Sequence, residues 1–483
     1  MVFSSIEFLF YFFPFFLIIY YLVPSKFKNY VLLTFSLIFY AWGEPIYICL
    51  MIFSTFVDFI NGRLLSRDNN EKRRKIYLFI ALLINLSLLG FFKYSNFLIQ
   101  NLNDLFKLNI TLLNVKLPIG ISFYTFQTMS YSIDVYRKKF EPETNYFRYL
   151  TYVSMFPQLI AGPIVRYETV NSELHQRKIS FDKVAHGFRR FLQGLFKKVL
   201  IANNIGILFD TISSSNVNQS SILTLWLGLI AYAIQIYFDF SGYSDMAIGS
   251  GEMLGFTFNE NFDYPYLSKS IAEFWRRWHI SLGTWFRDYL MYPILKSDFI
   301  QNIQKYLKKK VNKKFAKVVA VSIGTTIVFF VTGLWHGASN NFILWGLYYG
   351  LFLIIEEAFL GKKLDNTKHK VINHLYVLFV VLVGYAIFGL EDMSLCSKYL
   401  ISAFGFNHLP LFNNDFLFYI SNYGIVLIIG IFFCLPIYKN VSLKFKNNIV
   451  FNVFEYVIYI VLFICSISYL VTSSYNPFMY FRF

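Results

Sequence analysis

The chain is written in apolar blocks of about 15–25 residues separated by short loops, several of them strongly basic, and this spacing limits the fold more than any single motif. The blocks fall near 8–24, 28–41, 46–60, 76–98, 118–136, 149–162, 191–210, 221–249, 318–336, 341–360, 375–390, 415–437 and 450–472. An α-helix needs about 20 apolar residues to cross about 30 Å of hydrocarbon. A membrane β-barrel would instead show alternating segments of about 10 residues. Only 15% of the 483 residues are charged, against about 25% in a soluble domain. The sequence therefore predicts an all-α integral membrane protein.

The formal charge of +16 invites a nucleic-acid reading, but its placement argues against one. The basic residues gather between the blocks, as Arg63, Arg67 and Lys72-Arg73-Arg74-Lys75, as Arg137-Lys138-Lys139, as eight lysines from Lys296 to Lys317, and as Lys362-Lys363. Short basic loops mark the cytoplasmic side. Alternating the sides from loop to loop gives about eleven transmembrane helices plus re-entrant or interfacial ones, with both termini outside. The N-terminal block lacks a basic leader and a small-residue cleavage site, so it reads as the first span and not as a signal peptide. Block 149–162 ends at Gly162-Pro163 and has cytoplasmic flanks on both sides, which fits a re-entrant segment buried in protein. No repeat or soluble domain is visible, and residues 1–483 read as one membrane domain. Cys49, Cys396, Cys434 and Cys465 are scattered without metal-ligand spacing and read as small hydrophobes.

Four constellations place chemistry where hydrocarbon makes it costly. Leu334-Trp335-His336-Gly337-Ala338 closes the apolar run 318–336. An ionisable residue there is either a functional group or a packing side chain hydrogen-bonded to a neighbouring span. Around Trp275-Arg276-Arg277-Trp278-His279, turning by 100° per residue collects Trp275, Trp278, Leu282, Trp285, Phe286 and Tyr289 on one face. Arg276, Arg277, Thr284, Arg287 and Asp288 fall on the other. From the residues alone this is an amphipathic interface helix over four turns, with a catalytic His279 as the alternative. Asp239, Ser241, Ser244 and Asp245 lie inside block 221–249 and need partners, for which Arg276, Arg277 and Arg287 are the candidates; a structural polar network and a substrate or proton path are both open. The tail Pro477-Phe478-Met479-Tyr480-Phe481-Arg482-Phe483 is either an interfacial anchor or, on the loop-charge count, a phenol on the same side as His336. A phenol becomes a nucleophile when a base such as histidine takes its proton. There is no Walker A loop, no H-E-x-x-H and no G-x-S-x-G, so nothing points to a nucleotidase, metalloprotease or serine hydrolase.

Taken in order, these stretches resemble the membrane-bound O-acyltransferase superfamily in its bacterial alginate/peptidoglycan O-acetyltransferase branch. The matching segments run from Phe156 to Arg166 (FPQLIAGPIVR), from Asp239 to Asp245 (DFSGYSD), from Phe274 to Leu282 (FWRRWHISL) and from Gly333 to Ala338 (GLWHGA), with Ile6-Glu7-Phe8-Leu9-Phe10 at the start. The likeness is weakest over 361–450. It implies a ring of helices around a central funnel in the bacterial cytoplasmic (inner) membrane, with the C-terminus extracytoplasmic. It implies that His336 is the essential histidine and His279 the second, on the cytoplasmic side. The donor would be acetyl-CoA, entering near Trp275, Arg276, Arg277, Trp278, Trp335, Asp239 and Ser241, with no bound cofactor and no metal. The acetyl group would pass to an extracytoplasmic SGNH-type O-acetyltransferase partner that modifies a polysaccharide. Phe478-x-Tyr480-x-x-Phe483 is similar to the F-x-Y-x-x-F tail of the small protein accompanying the teichoic-acid D-alanylation acyltransferase, which would make Tyr480 an acyl carrier. Transfer of D-alanine, and transport of a polysaccharide precursor or anion without chemistry, are the competing readings.

Overall fold

The computed structural model describes residues 1–160, 162–361, 364, 370–390 and 392–479. Among these the regular structure is helical throughout, with no strand. Eight helices are long and apolar enough to cross a membrane: Ile48–Arg67, Glu71–Phe106, Ile222–Met253, Lys313–His336, Asn340–Leu360, Lys370–Gly389, Asn414–Phe433 and Ile449–Thr472. The chain is thus a multi-pass membrane protein. The other expected spans fall on shorter helices, such as Glu7–Leu22 and the 16-residue Lys28–Gly43 and Ile121–Tyr136. At about 1.5 Å per residue, 16 residues reach about 24 Å, less than the hydrocarbon thickness.

Two compact units are distinguished. The first takes Met1–Leu195 and Tyr243–Asn259, the second Phe196–Gly242 and the chain from Glu260 onward. In the first unit the ring of Phe156 is met by Phe3, Phe8, Phe12, Phe13, Phe16 and Phe39 at 5.2–6.3 Å between centroids. Block 149–162 is not one helix. It breaks at Met155 between Tyr146–Ser154 and the single turn Phe156–Leu159, and residues 149–160 are all buried. Irregular backbone in a membrane protein is tolerated only under such cover. The Asp58 carboxylate is also enclosed: it accepts from the Ser132 hydroxyl at 2.5 Å and from the Asn85 amide at 2.6 Å. These bonds tie Ile48–Arg67 to Glu71–Phe106 and Ile121–Tyr136. Asp245, expected to meet Arg276, Arg277 or Arg287, instead pairs with Arg190 at 3.1 Å.

In the second unit Lys313–His336 packs along Asn340–Leu360. A Cβ on Gly346 would strike the carbonyl of Phe329, and one on Gly333 the carbonyl of Phe342. Small residues here let two backbones touch, the usual basis of helix association in lipid. Residues 296–317, expected as a basic loop, contain the 13-residue helix Asp298–Lys310, with Lys308, Lys309 and Lys310 exposed in its last turn. Cations there complement the helix dipole.

Gly346→Ala should force the two helices apart and cost about 1–3 kcal/mol, measured as a lower unfolding temperature in detergent. Gly424→Ala, whose Cβ would meet only Ile420 at 3.9 Å, is the control and should unfold no earlier than the parent.

Candidate active site

The segment bearing His279 departs from the continuous interface helix expected over Trp275–Tyr289. Helix Ile271–Arg277 stops, Trp278 is extended, and His279 takes the left-handed conformation at φ 45° before Ile280–Phe286 begins. Trp278, Leu282, Trp285, Phe286 and Tyr289 are buried in protein and do not lie on a lipid interface. An amphipathic pattern reports one buried face but not what buries it.

The start of the first short helix is tightly held. Ser270 accepts from the Glu273 N–H at 3.0 Å, and the buried Glu356 carboxylate takes the N–H groups of Ile271 and Ala272 at 2.6 and 2.9 Å. A carboxylate at a helix N-terminus satisfies orphan donors and opposes the dipole. Trp275 and Arg276 consequently face a cavity of about 690 Å³, lined also by His279, Arg287, Glu356 and Glu357. Arg277 points elsewhere, pairing with Glu273 and Asp263 at 3.0 Å each. The His279 imidazole is 1% exposed. Burial pushes its pKa down to about 3, so it is neutral at physiological pH.

His336 ends Lys313–His336 and is buried. Its ring stands edge-on to Trp335, Trp345 and Phe388 at 5.0, 4.9 and 5.2 Å. It lines a second cavity of about 20 Å³ with Asp239, Phe240, Trp278 and Met479, room for about one water. Aromatic rings link the linings of the two cavities, although Trp335 itself lines neither. The Trp335 indole reaches His279 at 6.0 Å as well as His336, and Phe240, a wall of the small cavity, stands edge-on to His279 at 4.7 Å. Ser241 is buried but lines neither cavity.

Asp239 has a different partner from those expected. Its Oδ1 forms a buried ion pair with Lys198 Nζ at 2.6 Å, and its Oδ2 accepts from the Met479 N–H at 3.0 Å. Lys198 also donates to Asn203 Oδ1 at 2.7 Å and to the carbonyl of Pro477. Asn203 holds Asn476 at 3.2 Å, and the Tyr475 hydroxyl donates to Asp210 at 2.6 Å. Residues 475–479 are therefore fastened to Lys197–Ser214 and Ile222–Met253 by polar contacts. Tyr480 and the remainder of the tail lie outside the described residues. Sequence reasoning missed Lys198 and Glu356, although each is an ionic side chain within or next to an apolar block, the signal that singled out Asp239.

Comparison with known proteins gives the family. Residues 143–362 match the model of the membrane-bound O-acyltransferase family, MBOAT. A probable alginate O-acetylase AlgI from Pseudomonas putida is 36% identical over the full length of both chains. The chain belongs to the membrane-bound O-acyltransferase family. It is an acyltransferase. A peptidoglycan O-acetyltransferase from Helicobacter pylori is 30% identical across 86% of this chain and 84% of its own. A teichoic acid D-alanyltransferase from Bacillus subtilis is 29% identical across 50% of this chain and 59% of its own. The family match takes in His279, His336 and the lining of the larger cavity except Leu364.

Lys198→Met leaves a buried carboxylate without its counter-charge and should cost about 3–5 kcal/mol. The double variant Lys198→Met/Asp239→Leu should recover most of that stability while remaining impaired in acyl transfer, because it also loses the contacts to Pro477 and Met479. Unfolding temperature and transfer rate, measured on the same preparations, separate the two effects.

Proposed function

We propose that this acyltransferase takes an acetyl group from acetyl-CoA on the cytoplasmic side and delivers it to an O-acetylation pathway for an extracytoplasmic polysaccharide. The carrying observation is the pair of neighbouring cavities, one lined by Arg276, Arg287 and His279, the other by Phe240, which meets His279, and by His336 and Met479. The larger one has room for a pantetheine arm, and guanidinium groups suit the phosphates of CoA. The smaller one admits little beyond the reacting atoms. His336 acts as general base. It takes the proton of an acceptor hydroxyl as that oxygen attacks the thioester carbonyl; the C–S bond breaks, an oxygen ester forms, and the CoA thiolate leaves to be protonated. The surrounding rings exclude water that would otherwise hydrolyse the thioester.

The acceptor hydroxyl in this reading is Tyr480, which directly follows Met479 in the chain, and the acetyl group then passes to an SGNH-type transferase outside the bacterial inner membrane. The full-length similarity to O-acetylases favours acetyl over D-alanine, since the D-alanyltransferases match only about half of the chain. His336→Ala and Tyr480→Phe should each abolish acetyl ester on the wall or secreted polysaccharide. Normal ester content with both variants present in the membrane would overturn the reading. Arg276→Ala should raise KM for acetyl-CoA about tenfold, the worth of one charge-assisted hydrogen bond, with kcat little changed.

A further inference from the structure

His279 is set by Asn261. The Asn261 side-chain Oδ1 accepts from the Ser281 backbone N–H at 3.2 Å and from the Ser281 hydroxyl at 2.8 Å, and it lies 3.1 Å from His279 Nδ1. The Asn261 backbone carbonyl accepts from the Ile280 N–H at 2.9 Å. A backbone N–H can only donate, so the amide atom facing Ser281 is the oxygen and not the nitrogen. The same oxygen faces Nδ1, which must therefore carry the imidazole proton. In a neutral ring this leaves the lone pair on Nε2.

We infer that Asn261 is a positioning residue that locks His279 as its Nδ1–H tautomer, so that Nε2 serves as a hydrogen-bond acceptor, or base, toward an N–H, O–H or S–H group brought to the active site. This rests on the reading of the 690 Å³ cavity as the donor site. It makes His279 unable to give a proton to a departing thiolate from Nε2 in its resting state. Burial supports it, since a ring held neutral keeps that lone pair at physiological pH. Among the described residues, the charged groups on the cavity that His279 lines are Arg276, Arg287, Glu356 and Glu357. Asp239 lies on the neighbouring cavity and pairs with Lys198. The left-handed turn at His279 and the rings of Phe240 and Trp335 fix the imidazole plane, and Asn261 selects between its two tautomers.

The test is ¹⁵N-histidine NMR on the purified full-length protein without donor, with His279→Gln used to assign the signal, followed by kinetics with acetyl-CoA. The wild-type ring should show the Nδ1–H tautomer. Asn261→Ala should mix the tautomers and lower kcat about 100-fold, the scale of general acid–base catalysis, with KM for acetyl-CoA unchanged. Asn261→Asp keeps the acceptor for Ser281 and adds a negative charge that favours the imidazolium. Its kcat should stay near wild type at pH 8 and fall below about pH 6.5, as protonation consumes the lone pair. A purely structural role for Asn261 would not create that acid limb. An Nε2–H tautomer in the wild-type protein overturns the inference even if Asn261→Ala cannot be folded. So does an unchanged kcat in folded Asn261→Ala, or an Asn261→Asp profile identical to wild type. The donor-site reading fails separately, if Arg276→Ala leaves KM for acetyl-CoA unmoved.

Discussion

The buried ion pair between Lys198 and Asp239 is the contact on which the proposed acceptor side of the active site depends. Two charges taken out of water are costly, and attraction between them offsets that cost only when their remaining hydrogen-bonding groups are also satisfied. Here the chain segment 475–479 does part of that work. The Pro477 carbonyl accepts from Lys198, and the Met479 N–H donates to Asp239. Neither charge is well accommodated without the tail, and the tail gains from the charges two contacts beyond those of Tyr475 and Asn476 with Asp210 and Asn203. The same constraint, that charge in a low-dielectric interior must find a partner, explains the Glu356 carboxylate on the helix bearing Arg276 and the Asp58 cluster in the first unit.

The helical membrane class was legible because it rests on block length and loop charge, which hydrocarbon enforces directly. The place of His336 at the end of an apolar helix was legible for the same reason. The break at His279 was not. The residues on both sides of it keep a period of 3.6, and the pattern runs through a turn whose left-handed φ belongs to a residue that is not glycine. Two short helices with one buried face each look like one long helix when only the side chains are read. The partners of Asp239 and Asp245 were missed because pairing depends on which helices become neighbours. Lys198 lies 41 residues before Asp239 and Arg190 lies 55 before Asp245, so nothing in the local pattern associates them. Lys198 should still have been flagged, since it sits inside an apolar block and is as costly there as any aspartate.

In the proposed reading, binding is separated from chemistry. Arginines and a broad cavity occur on the His279 side, whereas the His336 side is small, aromatic and almost closed. A wide, mostly apolar cavity edged by arginines suits a large donor with an anionic end, and a small aromatic pocket suits a thioester that bulk water must not reach. Phe240 and Trp335 both touch His279, and Trp335 also touches His336, which makes them the side chains to watch when a donor occupies the larger cavity.

The central event is the arrival of an acetyl group on this chain. The direct measurement is incubation of the purified protein with acetyl-labelled acetyl-CoA, followed by proteolysis and mass analysis of the C-terminal peptide. The account predicts an acetyl ester on Tyr480, labile to mild base and absent in His336→Ala. Turnover of the donor in the presence of an acceptor, with an unlabelled tail throughout, would contradict it.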